Sequence, residues 1–190
     1  MIPHAQRRRH KTRNQEPLSP EDLAKVLNAP VEVITDVRDQ LIAEIVYCLG
    51  PSLEELRATR VADVDLDRDV LSIPGDKARN VPIPSRTRDL LVKYLTTIRP
   101  FLGAKGPKDD ALFVSQWGTP LNIKGLELRI TALGVAGGVA TRVNSSVLRA
   151  TGVRDMLARG VSQAAIYTLY GIKAPETTRG PAPRPRPPKV

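Results

Sequence analysis

Apolar residues return at helical spacing over most of this chain and at strand spacing in one stretch near its middle. Leu23, Val26 and Leu27 form a stripe on a helix within Pro17–Ala29, which Ser19 caps and Pro20 opens. Ile34, Val37, Leu41, Ile45 and Leu49 line one face of a second helix, from Val33 to Leu49, and Gly50 ends it. Pro51 suits a first helical position, and Glu54 and Glu55 suit the positive end of a short helix carrying Leu53, Leu56 and Val61 inward.

The spacing then changes. Val64 and Leu66 alternate with Asp63, Asp65 and Asp67, and Val70, Leu71 and Ile73 follow Arg68-Asp69, the pattern of a half-buried hairpin. Gly75-Asp76 turns the chain again, and Val81-Pro82-Ile83-Pro84 supplies a third short strand whose prolines place it at a sheet edge or a strand end.

Helical spacing resumes after the strands. Ser85 caps a helix through Ile98 that packs Leu90, Leu91, Tyr94 and Leu95, and Arg99 to Lys108 is expected to be a Pro/Gly loop. Further helices are expected over Ile123–Leu133, over Ser146–Ala158 behind a cap at Asn144 or Ser145, and over Val161–Tyr170 with Ala165, Ile166 and Leu169 inward.

Composition adds three points. A single cysteine, Cys48, lies in an apolar run; it excludes an intramolecular disulfide framework and a cysteine-based zinc site, and suits a cytoplasmic protein. His4 and His10 are too isolated to argue for a metal, and nothing implies a cofactor. No apolar run reaches transmembrane length, so no membrane partner is expected.

The formal net charge of +9 comes from the two ends. Residues 1–15 carry Arg7, Arg8, Arg9, Lys11 and Arg13 with no acid, and residues 177–190 carry Arg179, Arg184, Arg186 and Lys189 with none. The segment between them is formally neutral, so nucleic-acid binding by the core must come from clustered cations. Residues 1–16 are expected to be a disordered basic arm, either gripping phosphates or simply solvated. Residues 179–190, rich in proline and arginine, suit polyproline II rather than a core.

The order of these pieces resembles the catalytic domain of the tyrosine recombinases, the phage-integrase family. The resemblance rests on the Glu-Glu-Leu helix, the Asp-Val-Asp-Leu-Asp strand, a turn lysine, the Val-Pro-Ile-Pro strand and the Leu-Phe-Val-Ser segment at 112–115, and it extends over residues 17–178. It implies an α+β fold, mainly helical: a helical bundle with a small three-stranded antiparallel sheet. It also implies double-stranded DNA as partner. The domain that precedes this one in the family is expected to have no counterpart here beyond the basic arm. Tight binding is therefore expected to need the arms, self-association or a recombinase partner.

The family's chemistry needs a tyrosine that attacks a phosphodiester, two arginines and a histidine or tryptophan around the phosphoryl oxygens, and a turn lysine as general acid. The resemblance assigns the lysine to Lys77 and the second arginine to Arg149, in Ser146-Val147-Leu148-Arg149-Ala150-Thr151. Ser52 stands at the first arginine's position, and a hydroxyl cannot replace a guanidinium fork. Ser146 and Ile172 stand at the polar-ligand positions, and Pro181 stands where the nucleophile belongs.

Loss of one preorganised donor costs about 2.7–4 kcal/mol of transition-state stabilisation, so several losses leave no strand transfer. The expected function is DNA binding by an integrase fold with eroded catalysis, through Arg7, Arg8, Arg9, Lys11, Arg13, Arg57, Arg60, Lys77, Arg79 and Arg149. Arg86, Arg88, Arg142 and Arg154 are further candidates, and Arg149 equally suits a satisfied buried arginine. Two rivals stand beside this reading. One is an active recombinase using a displaced tyrosine (Tyr167 or Tyr170) or a partner's. The other is a protein-interaction module with no DNA role, which the Pro-rich tail would serve as ligand.

Overall fold

The computed structural model describes residues 16–103 and 110–173. The basic arm residues Arg7, Arg8, Arg9, Lys11 and Arg13, and the tail with Pro181, lie outside them.

Helix α1 spans Pro20–Leu27, and the Ser19 hydroxyl accepts the Asp22 N–H at 3.1 Å, as the Ser-Pro start dictates. Helix α2, Ile34–Cys48, is the pillar of the fold. It packs against α1 on one side and, once the chain has returned, against the helices at Ser85–Lys93, Ile123–Ala136 and Ser145–Ala158. Being surrounded, it buries more than a stripe. Val37, Leu41, Ile42, Ile45 and Val46 are joined by Arg38, Asp39 and Glu44, while Ile34, expected inward, is 40% exposed at the helix's first turn. The buried charges are satisfied: Arg38 meets Asp39 at 2.7 Å and donates to the Val114 carbonyl at 2.9 Å. Burial pushes the Asp39 carboxyl pKa up, against the pull of Arg38.

The short helix α3 spans Leu53–Ala58, two residues later than expected, because Ser52 rather than Gly50 is its cap and Pro51 stands outside it. A 3-10 turn at Val61–Asp63 leads into β1 (Val64–Asp65), so Val61 belongs to that turn and not to α3. Strands β2 (Val70–Ile73) and β3 (Arg79–Pro82) complete an antiparallel sheet in the order β1-β2-β3. Leu71 faces Val81 and Ile73 faces Arg79. Residues opposite each other share a face, so the register that buries Leu71, Ile73 and Val81 also turns Arg79 inward.

Helix α4 (Ser85–Lys93) continues through a π-helical turn at Tyr94–Ile98 into α5 (Arg99–Gly103). Arg99–Gly103, expected in a loop, are thus helical. Pro100 cannot donate to the carbonyl four residues back, and the widened turn before it accommodates that gap without ending the helix.

Asn122 caps α6 (Ile123–Ala136), and Asn144 caps α7 (Ser145–Ala158) through a 2.9 Å bond from the Val147 N–H. Ser162 caps α8 (Gln163–Tyr170), whose buried residues are Ile166 and Tyr170; Ala165, expected inward, is exposed. No described helix is long and apolar enough to cross a membrane.

Candidate functional site

Sequence-distant pieces converge on a cavity of about 410 Å³: the start of α3, the β2–β3 turn, and the end of α8. Arg149, on α7, forms part of the wall. The fold therefore brings together Lys77 and Arg149, the two residues at which the sequence matches the expected chemistry.

Lys77 sits at the exposed hairpin tip after Gly75, whose φ of +109° only glycine adopts without strain. Its ammonium donates to the Gly171 carbonyl. Arg149 is half-buried and doubly held, Nε donating to the Gly50 carbonyl at 3.1 Å and Nη2 to the Tyr170 carbonyl at 2.8 Å. Burial lowers its pKa, and the Glu55 carboxylate opposes that.

Ser52 lines the same cavity and is engaged in capping α3. Its hydroxyl accepts the Glu55 N–H at 3.2 Å, and its own N–H donates to Glu55 Oε2 at 2.7 Å, a reciprocal capping box. Ser146 is exposed in the first turn of α7. Ile172, 36% exposed, brings no polar side chain.

Arg79 departs from expectation. Its side chain is only 8% exposed and meets Glu55 at 2.7 Å, so it is a buried tie and not a surface cation awaiting a phosphate. Its Nε donates to the Leu169 carbonyl at 2.7 Å and Nη1 to the Lys77 carbonyl at 3.0 Å. Burial works against the Glu55 carboxylate, yet the Arg79 guanidinium and the Ser52 N–H hold its pKa below the usual glutamate range. The Ser-x-x-Glu spacing at 52–55 was the sequence signal for this cluster.

Other expected contact residues are dispersed. Arg57 stays exposed on α3, whereas Arg60 lies past that helix and pairs with Asp110 at 2.7 Å, so the two do not share a helix face. Arg86 pairs with Glu44, Arg88 with Asp69 and Arg154 with Asp155. Glu54, Glu55 and Asp76 also line the cavity, so its wall sets three carboxylates beside Lys77 and Arg149.

Neither candidate tyrosine presents a free phenol to this cavity. The Tyr170 ring is buried, its hydroxyl donates to the Tyr47 carbonyl, and burial raises its pKa. The Tyr167 hydroxyl accepts from Gln163 Nε2 at 2.6 Å on the outer part of α8.

Comparison with known proteins agrees with this architecture. The chain is 31% identical over 173 residues to the tyrosine recombinase XerC of Haemophilus ducreyi, covering 90% of this chain and 55% of that protein. It is 32% identical over 139 residues to XerC of Bacillus pumilus, covering 70% and 45%. The chain thus spans about half the length of the curated relatives it matches.

Among solved structures, XerA recombinase superposes with a TM-score of 0.74 at 23% identity, covering 84% of this chain and 55% of that one. XerH recombinase bound to its difH substrate superposes with 0.69 at 20% identity, covering 84% and 48%. A sequence model described as the phage integrase family matches residues 16–180. On that match, which takes in nearly the whole chain, and on the XerC relationships, this protein belongs to the phage integrase family.

Proposed function

We propose that this protein binds double-stranded DNA through the cavity face and carries out no strand transfer of its own. The observation that supports this best is the composition of the one place where Lys77 and Arg149 converge. Those two cations are present, while the position of the first arginine is a serine, which caps α3 and brings no positive charge. Lys77 and Arg149 can neutralise a backbone phosphate. The two buried or hydrogen-bonded phenols of α8 are poor nucleophiles, and Pro181 cannot be one. Relatives bearing DNA in their structures, XerH with difH and lambda integrase with a COC' core site, support duplex DNA as the ligand class.

The domain would comprise residues 17–178, flanked by cationic segments at 1–16 and 179–190 that add sequence-independent attraction to phosphates. Its role would be regulatory or architectural within a mobile element or phage, in the cytoplasm, acting on DNA with a second copy or a catalytically complete recombinase.

A duplex titration at two salt concentrations tests the binding claim, with Arg149→Ala and Lys77→Ala each expected to lower the salt slope by about 0.9 per lost phosphate contact. Incubation with a nicked suicide duplex tests the catalytic claim. No covalent protein–DNA adduct is expected from the chain alone, and an adduct mapped to Tyr167 or Tyr170 would overturn it.

A further inference from the structure

Three consecutive main-chain carbonyls at the end of α8 each accept from a different cation. Leu169 accepts from Arg79, Tyr170 from Arg149 and Gly171 from Lys77. These are the helix's last carbonyls, which lack intrahelical partners and carry the negative end of its dipole. Two of the donors belong to one hairpin, Lys77 at its tip and Arg79 at the start of β3, while Arg149 comes from α7, far along the chain, so only the fold brings all three to this turn.

The donor inventory decides what this cluster does. Lys77 has three N–H groups and gives one to Gly171, while Arg149 has five and gives one to Gly50 and one to Tyr170. Both residues line the cavity, so unspent donors remain there for an anion. Arg79 is different: it is nearly buried and engaged with Glu55, Lys77 and Leu169. It ties the hairpin that carries Lys77 to α3 and α8.

We infer that the C-terminal turn of α8 positions Lys77 and Arg149 for phosphate through its backbone, with Arg79 as the brace, so that anion binding depends on the seating of this turn and not on the side chain at Ile172. The inference rests on the DNA-binding reading above. Gly171 adopts φ +59°, which strains other residues, and a Cβ there would lie 2.7 Å from Arg79 Nη1, so an added side chain must displace the brace.

The test uses the full chain and a generic duplex oligonucleotide, titrated across a salt series. Gly171→Ala should weaken binding roughly tenfold at low salt and reduce the slope of log affinity against log salt by about 1–2, since two phosphate contacts are misplaced together. Tyr170→Phe, which frees the hydroxyl anchor of the turn, should move both readings the same way by a smaller amount. Ile172→Ala should leave both within about twofold, and Gly171→Ala combined with Arg149→Ala should be less than additive.

A Gly171→Ala protein with an undiminished slope, when Arg149→Ala reduces it, overturns the inference and spares the DNA-binding reading. Unchanged slopes in Arg149→Ala and Lys77→Ala overturn both. A general loss of stability would weaken binding without selectively removing slope, which separates positioning from simple unfolding.

Discussion

Arg79 and Glu55 meet at 2.7 Å with side chains 8% and 15% exposed, joining the inner face of the sheet to the first turn of α3. The same carboxylate also caps Ser52, so one acidic group fixes both the helix start and the strand that follows the turn lysine.

Breaking such a pair from one side leaves a nearly buried charge without its partner. Arg79→Met is therefore expected to cost about 3 kcal/mol. Adding Glu55→Leu to Arg79→Met should recover part of that loss, because both charges are then gone. Urea unfolding of the two single variants and the double variant gives the coupling, and a strictly additive double variant would show that the pair carries no stability.

Glu55 also sets a pH dependence. Its pKa in the folded chain lies below the usual value, so its contribution is fully present above the unfolded carboxylate pKa of about 4.3. That contribution is lost as pH falls through the depressed folded value. The stability difference between the parent and Glu55→Gln should hold constant from pH 7 to 5 and shrink below pH 4. A difference that grew on acidification would mean that folding raises the Glu55 pKa instead of lowering it.

Much of this fold was legible because its punctuation is local. Ser19, Asn144 and Gly50 act through neighbours a few residues away, and the alternation at 64–73 can only bury one face of a hairpin. The inward turn of Arg79 was readable in principle, since Val81 two residues on is apolar, but a letter code makes any arginine look like surface. Arg149 reaches acceptors 99 and 21 residues away, and those acceptors are main-chain carbonyls, which every residue has and no sequence pattern distinguishes. The α4–α5 continuation was hidden because Pro100 reads as a breaker unless a π-turn precedes it.

Cys48 provides a check on the packing between α1, α2 and α7. Burial, with the nearby Glu44 carboxylate, pushes its thiol pKa up to about 12, and the sulfur donates to Glu44 at 3.5 Å. Alkylation by iodoacetamide at pH 8 should run on the order of a hundredfold slower in the folded chain than in urea. The smaller thiolate fraction outweighs the greater intrinsic reactivity of a high-pKa thiol. Equal rates in the two states would mean that the thiol is neither buried nor held.

Gly152 and Tyr170 supply the last test, because the seat of α8 depends on their contact. A Cβ at Gly152 would collide with the Tyr170 hydroxyl and with the Tyr47 carbonyl that the hydroxyl bonds. The carbonyl is main chain on α2, the most enclosed helix of the fold, so it cannot give way cheaply, and the Tyr170 ring is the part that must move. Gly152→Ala should therefore cost about 1–3 kcal/mol through overpacking and expel the Tyr170 side chain. Because Tyr170 is the final residue of α8, its loss should free the adjoining carbonyls from Arg79, Arg149 and Lys77 as well. Amide exchange over residues 163–171 is expected to quicken in this variant while that of α2 stays slow. If protection falls equally in both helices, the contact supports the whole domain and not α8 in particular.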